Sequence, residues 1–275
     1  MTDPNGLAPL QQFALNDRLA NYGDGVFTTM SVKDGKVALL NRHIARLVND
    51  GAALGLSVAE NAVRQVIQSA LKQRQDGVLK LLIGAGQGGR GYARPEQSAL
   101  TVAVSWHEIP AFYQQWQQQG IHLGSVGVNL ARQPLLAGLK HANRLEQVLI
   151  KRALANSPYD DAIVTDENST VIEASAANLF WLKEGHWYTA GLEHAGVNGV
   201  MRQFILAQSV PVQEVAMSLS EVADADAMFL SNALMQVVPV QRLTIGAASR
   251  ELAVAPVLSL WDTLKPLYAG EYGAA

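Results

Sequence analysis

"GLKHANRLEQVLIKRAL", residues 138–154, is a glycine-bearing turn running into an amphipathic helix, with Lys140 at the helix entrance. The spacing admits two readings of that lysine. One is a solvated charge beside a helix; the other is an amine held for chemistry. The second carries a physical demand. A lysine that acts as nucleophile or base must shed the proton favoured at its free pKa of ~10.4, and keeping it neutral near pH 7 costs about 3–4 kcal/mol, met by desolvation or a neighbouring cation. Leu136, Leu139 and Leu145 are placed to form a dry wall; Arg144, one turn on, reads equally as the neighbouring cation or as a residue facing solvent.

The surrounding chain narrows the classes. It has 275 residues, of which 49% are hydrophobic and 16% charged, so one or two domains with a large core are expected. A net charge of −3 without a basic run gives phosphate backbones nothing to hold, which argues against nucleic-acid binding. There are no cysteines, which excludes disulfides, thiolate nucleophiles and Cys-based zinc sites and fits a reducing compartment. The opening "MTDPNGLAPLQQFALND" (1–17) lacks the charged and apolar regions of a signal peptide. No apolar run approaches the roughly 20 residues that span a bilayer. A cytoplasmic protein with no membrane partner is expected.

Periodicity outlines the elements. "VFTTMSVKDGKVALL" (26–40) reads as two strands, because Asp34-Gly35 is a favoured two-residue hairpin connection. Ile44, Leu47, Val48 and Leu54, then Val63, Val66, Ile67, Ala70 and Leu71, recur at helical spacing. "GVLKLLIGAG" (77–86) and "SALTVAVSW" (98–106) read as strands. The Gln- and aromatic-rich "HEIPAFYQQWQQQG" (107–120) changes composition abruptly and is taken as the junction. Strands are expected at "IHLGSVGVNLA", "DAIVTDENSTVIEA", "ANLFWLKEGHWYT" and "VQEVAMS", with helices at "NGVMRQFILAQS" and "LSEVADAD" and one in part over "ELAVAPVLSLWDTLKPLY".

"IGAGQGGRG" sets Gly84, Gly86 and Gly89 in a G-x-G-x-x-G pattern after a strand. A dinucleotide site needs a helix opening at the third glycine, so that phosphate meets its N-terminus. Here Pro95 and a second strand follow, and a flexible hairpin connection is expected instead. Its Arg90 and Arg94 are cations on a mobile arm suited to holding a carboxylate. The chain has no P-loop, no G-x-S-x-G and no H-E-x-x-H, and its six histidines are scattered, so no metal is expected. His43 and His141 read as structural or partly exposed.

Seven segments in order resemble the 4-amino-4-deoxychorismate lyase family, fold-type IV enzymes related to branched-chain and D-amino-acid aminotransferases. They are "YGDGVFTT" (22–29), "NRHIARL" (41–47), "GGRGY" (88–92), the lysine segment, "VIEASAANLF" (171–180), "AGVNGVMRQ" (195–203) and "FLSNALMQVVPV" (229–240). The resemblance implies an α/β (α+β) fold: a small N-terminal α/β domain over 1–108, a linker over 109–120 and a larger cofactor-binding C-terminal domain over 121–275, with the cofactor between them. It also implies a homodimer in which one subunit's loop borders the other's pocket.

The same resemblance assigns roles. Lys140 would carry pyridoxal 5'-phosphate as a Schiff base and later act as the base. Glu173 would keep the ring nitrogen protonated, although by itself it reads as a strand-end carboxylate in water. Arg46 would pair with the phosphate, and Val197 and Asn198 would offer it free backbone N–H groups at a helix start. Asn232 and Ala233 would give a second main-chain approach. Aminotransferases commonly carry a Thr or Ser hydroxyl at the position of Ala233, and its absence leaves only the main chain there.

The shared cofactor residues do not separate lyase from aminotransferase. Thr28 and Thr29 stand where many branched-chain aminotransferases show "FEG", and "GGRGY" and "KHANRLEQ" look like the lyase. The implied reaction turns 4-amino-4-deoxychorismate into 4-aminobenzoate, a folate precursor, and pyruvate. A hydroxyl of Thr28 or Thr29 would deliver a proton to the departing group. Arg90 would meet a substrate carboxylate, with Tyr92 beside it; a solvated loop arginine is the other reading. An aminotransferase, or a fold relative that binds without catalysis, are the alternatives.

Overall fold

The computed structural model describes residues 12–96 and 98–275. The opening stretch 1–11, most of the segment read as lacking a signal peptide, and Gln97 lie outside the described residues. The chain divides into two compact units. One gathers the chain up to Ile109, Lys140–Asn143 and Glu271–Ala275; the other gathers Pro110–Leu139 and Arg144–Gly270.

In the first unit, a short helix α1 (Arg18–Tyr22) precedes strands β1 (Gly25–Lys33) and β2 (Lys36–Ala38), helices α2 (Leu40–Ala53) and α3 (Glu60–Gln73), and strands β3 (Gly77–Gly84) and β4 (Thr101–His107). Asp34 (φ 50°) and Gly35 (φ 69°) both take left-handed conformations, the geometry that lets two residues join twisted antiparallel strands. Among the described residues the sheet has five strands, ordered Tyr272–Gly273, β2, β1, β3, β4. Ile44, Leu47, Val63, Val66 and Ile67, spaced along α2 and α3, bury against Val26, Met30, Leu79, Leu81 and Ile83. Each such side chain contributes about 1.5–3 kcal/mol on leaving water.

The second unit runs α4 (Phe112–Gln119), β5 (Ile121–Ser125), α5 (Leu145–Leu154), β6 (Asp161–Thr165), β7 (Val171–Ala174), β8 (Asn178–Lys183), β9 (His186–Ala190), α6 (Val200–Leu206), β10 (Val212–Val215), α7 (Leu219–Val222), β11 (Ala227–Asn232), β12 (Gln236–Ile245), β13 (Ala248–Glu251) and α8 (Ala255–Ala269). Its sheet among the described residues follows the order β10-β9-β8-β11-β12-β5-β6-β7, with β13 beside β12. Leu123, Leu179, Trp181, Met228, Leu230 and Val238 lie in one buried cluster.

The expected boundaries shift at three places. The stretch read as a linker, 109–120, holds helix α4, which belongs to the second unit. Lys140–Asn143 joins the first unit because His141 bridges Val26 and the segment runs antiparallel beside the start of β1. The C-terminal residues join it too, because Tyr272–Gly273 pairs with β2. No helix among the described residues is long and apolar enough to cross a membrane.

Candidate active site

Lys140 is fixed through its main chain. Its carbonyl accepts from the Phe27 N–H (3.0 Å), and its own N–H donates to Asp50 Oδ2 (2.9 Å). The next turn of the ladder, Ala142 N–H to the Gly25 carbonyl (2.8 Å), locks the segment along β1. These bonds leave the side chain to point away from the ladder, and its Nζ lies 4.6 Å from the centroid of the Phe27 ring. Phe27 is therefore the apolar wall of this amine. Of the leucines expected in that role, Leu136 is 36% and Leu145 70% exposed, while Leu139 is half-buried. Arg144 donates to the Leu139 carbonyl (2.6 Å) and stands as the N-cap residue of α5.

Strand alternation sorts the two threonines. Val26, Thr28 and Met30 face the core, which places Phe27 and Thr29 on the opposite face of β1. Thr28 is fully buried, and its Oγ1 lies 2.6 Å from His43 Nδ1. Thr29 shares the Phe27 face that Lys140 overlies. His43, 1% exposed and bonded to Thr28, follows the structural of its two readings. Burial, and then the positive charges of Arg46 and Lys140, hold its pKa well below the ordinary value, so the ring is neutral. Arg46 itself is buried one turn along α2.

A residue passed over in the sequence belongs to this face. Lys80 is the cross-strand partner of Thr29, and its Nζ lies 5.0 Å from the same Phe27 ring. It makes no ion pair among the described residues. The signal was a lysine set between Leu79 and Leu81 in an otherwise apolar strand.

In the second unit, Glu173 on β7 is buried, and its Oε2 accepts the Val197 N–H (2.9 Å). Gly196 permits that approach. Its φ is +87°, and a Cβ there would stand 2.6 Å from Ile172 Cγ2 and 3.3 Å from Glu173 Oε2. The turn is held further by Gly138 N–H to the Gly196 carbonyl (3.0 Å), Asn198 N–H to the Gly138 carbonyl (2.9 Å) and Asn178 Nδ2 to the Val197 carbonyl (2.8 Å). The Val197 and Asn198 N–H groups, expected as free donors, are thus engaged within the chain. By helix geometry, the first-turn N–H groups of α6 from Val200 onward are those without an intrahelical partner.

The turn after β11 is also over-determined. Asn232 Oδ1 accepts from the N–H groups of Leu234 and Met235 (both 2.9 Å), and its Nδ2 donates to the Ala176 carbonyl (3.1 Å). From α4, Gln117 Nε2 reaches the Met235 carbonyl (2.8 Å), and the half-buried Tyr113 bonds to Asn232. Ala233 sits inside this turn and contributes main chain only.

The glycine-rich connection is a hairpin between the antiparallel β3 and β4, as its sequence indicates. It is not a loose arm, however. Arg94 donates through two nitrogens to Asp24 and through a third to the Leu54 carbonyl, so it is not a spare cation. Arg90 is exposed and makes no ion pair among the described residues. Tyr92 is 86% exposed, its ring 5.4 Å from that of Tyr22.

Residues 25–243 match the family model for amino-transferase class IV. The aminodeoxychorismate lyase of Vibrio harveyi is 36% identical to this chain over 245 residues, which cover 87% of this chain and 90% of that protein. A D-alanine aminotransferase of Listeria monocytogenes is 26% identical over 242 residues, covering 83% and 81%. Among solved structures, the 4-amino-4-deoxychorismate lyase of Pseudomonas aeruginosa superposes with a TM-score of 0.86 at 34% identity, covering 94% of this chain and 96% of that one.

Proposed function

The chain belongs to the class IV amino-transferase family, and we propose that within it this protein is a pyridoxal-phosphate-dependent lyase that splits 4-amino-4-deoxychorismate into 4-aminobenzoate and pyruvate. The observation that carries the reading is Lys140: a lysine whose main chain is pinned at both its N–H and its carbonyl and whose amine rests on an aromatic ring. Solvated surface lysines are not held in this way.

The residues present fit the cofactor. A buried carboxylate, Glu173, is held by a main-chain N–H over a glycine cradle that any Cβ would fill. Buried Arg46 supplies a cation suited to a phosphate. When bound, pyridoxal phosphate supplies an aldehyde for amines and an electron-withdrawing ring. Lys140 would hold it covalently, Glu173 would keep a proton at the ring nitrogen, and Arg46 would balance the phosphate. The first-turn N–H groups of α6 from Val200 onward, just after the Val197–Asn198 turn, would add main-chain donors, and the Asn232–Ala233 turn would border the group from the other side.

The chain's own groups then have defined work. Once its amine is freed and has lost its proton, Lys140 Nζ takes the proton from the amine-bearing ring carbon of the substrate. The enolpyruvyl ether bond breaks, the ring becomes aromatic, and the departing fragment becomes pyruvate on gaining a proton. Thr29 is the hydroxyl on the Lys140 face of β1 and is assigned that proton delivery; Thr28 is committed to His43. The substrate carries two carboxylates. Lys80 beside Thr29, and Arg90 with Tyr92 on the hairpin, are the cations assigned to them.

The lyase is favoured over an aminotransferase because this constellation suits an acidic ring substrate and because the lyase relative is the more similar in sequence. We also read the protein as a homodimer. Leu145, Val148 and Leu149, at one-turn spacing on α5, are 70%, 60% and 43% exposed, with Leu135 83% exposed nearby in the chain. Such an apolar face is normally covered. The deciding experiment supplies the cofactor-loaded protein with 4-amino-4-deoxychorismate, and separately with D-alanine or a branched-chain amino acid plus a keto acid. Equal amounts of 4-aminobenzoate and pyruvate support the lyase. Amino-group exchange without 4-aminobenzoate would replace it with the aminotransferase.

A further inference from the structure

Arg18 is 4% exposed, and none of the chemistry above uses it. Its guanidinium nonetheless makes a dense set of contacts with the hairpin. Nη1 donates to the carbonyls of Gly91 (3.3 Å) and Ala93 (3.1 Å), and Nη2 to that of Tyr92 (2.6 Å). Its Nε donates to Asp24 Oδ2 (2.8 Å), and its Cζ lies 5.0 Å from the centroid of the Tyr22 ring. Asp24 in turn accepts from Arg94, which closes the far end of the same loop. The stem of Arg18 fills the space beside Gly88, where a Cβ would stand 3.0 Å from Arg18 Cδ and Cγ.

Three consecutive carbonyls gathered by one guanidinium is an unusual use of a buried cation. The planar fork suits it, since its donors are fixed relative to one another and a lysine ammonium cannot span the same set. The consequence falls on the residue just before the gathered stretch. Arg90 lies between Gly89 and Gly91, and among the described residues a Cβ at either glycine would meet no atom within 4 Å, so no packing against these two positions fixes the turn. Without the fork, two flanking glycines would leave Arg90 to sample many orientations, and each would cost entropy on binding an anion.

We propose that Arg18 is a positioning residue: with Asp24 and Arg94 it clamps the 88–94 hairpin so that Arg90 is presented in one place as an anion-binding cation. The proposal rests on the reading of Arg90 as a substrate-carboxylate contact, and it assigns the binding step, not the chemical one, to the clamp.

The test pairs two readouts on the cofactor-loaded protein. Between residues 81 and 131 the only Lys or Arg residues are Arg90 and Arg94, and Arg94 precedes Pro95, so trypsin has one productive site there, after Arg90. Arg18→Lys is expected to raise the rate of that cut about tenfold over wild type, since loosening the fork frees the backbone. In turnover, Arg18→Lys is expected to raise KM about tenfold with kcat little changed, and to add nothing further in an Arg90→Ala background. An unchanged cutting rate, an unchanged KM, or a KM rise that persists in full without Arg90 would each overturn the clamp. If the wild type forms no 4-aminobenzoate, the lyase reading fails and proteolysis alone decides the clamp. Should Arg18→Lys not fold, Arg94→Gln at the more exposed end carries the same two measurements.

Discussion

The amine of Lys140 lies 4.6 Å from the centre of the Phe27 ring, while the carbonyl of the same lysine accepts the N–H of the same phenylalanine at 3.0 Å. One residue therefore sets both the main-chain position of the lysine and the surface its amine rests on. Replacing Phe27 by Ala keeps the ladder bond but opens the amine to water. Turnover is expected to fall on the order of tenfold while the fold holds. Steady-state kinetics beside a thermal melt check this, and a kcat equal to that of wild type would remove Phe27 from the site.

Lys80 reaches the same ring from β3 and makes no ion pair among the described residues. A partly buried ammonium gains most when an anion arrives. Lys80→Met is expected to raise KM for a dicarboxylate substrate about tenfold and to leave kcat within about twofold. A loss confined to kcat would place Lys80 in the chemistry instead.

Gly196 has φ +87° and no room for a methyl group beside Ile172 and Glu173. Gly196→Ala is expected to cost about 1–3 kcal/mol of stability through backbone strain and crowding. The crowding falls first on Ile172 and Leu192, and because it also reaches Glu173 Oε2, cofactor retention should drop with it. Denaturant unfolding and the cofactor's absorbance after dialysis measure the two effects.

His43 is neutral in the folded protein because burial, Arg46 and Lys140 all disfavour its charged form. The unfolded chain protonates this ring below about 6.5 and the folded one does not, so the unfolded state binds the extra proton there. Stability is complete above that value and is expected to fall by up to about 1.4 kcal/mol per pH unit below it. His43→Gln keeps a polar partner for Thr28 and removes this slope. Melting temperatures of both proteins between pH 7 and 5 should diverge in slope; parallel curves would refute the assignment.

Asp24 titrates in the other direction. Burial pushes its carboxyl up, but the donors of Arg94 and Arg18 outweigh that and leave it below the ordinary carboxylate value of 3.8. The stability it contributes is present above that value and is lost as pH falls through its lowered folded one. Asp24→Asn is expected to melt below wild type at neutral pH and to approach it in acid.

Much of this fold could be read from local pattern. The Asp34-Gly35 turn, the helices of 40–53 and 60–73 and the alternation of β1 follow from rules that need only a few neighbouring residues. The departures all come from distance along the chain. Four residues around Lys140 join β1 from more than 100 positions away, and no periodicity announces an isolated bridge. Helix α4 was hidden because its glutamines and aromatics, none fully buried, resemble a linker by composition. At the site, Lys140 is proposed from resemblance, and the Phe27 ring beside its amine comes from β1, more than 100 positions away, where no neighbouring residue announces it. Thr28 and Thr29 were equivalent in the string and are separated only by the pleat. Lys80 and Arg18 were missed because a lone charge in a strand or short helix carries no motif.

The most direct measurement is the identity of the lysine that carries the cofactor. The protein loaded with pyridoxal phosphate is reduced with borohydride, digested, and its peptides weighed. The mass of the reduced cofactor is expected on Lys140, with Lys80 unmodified. Finding it on Lys80, or on neither, would contradict the assignment from which every other role here is drawn.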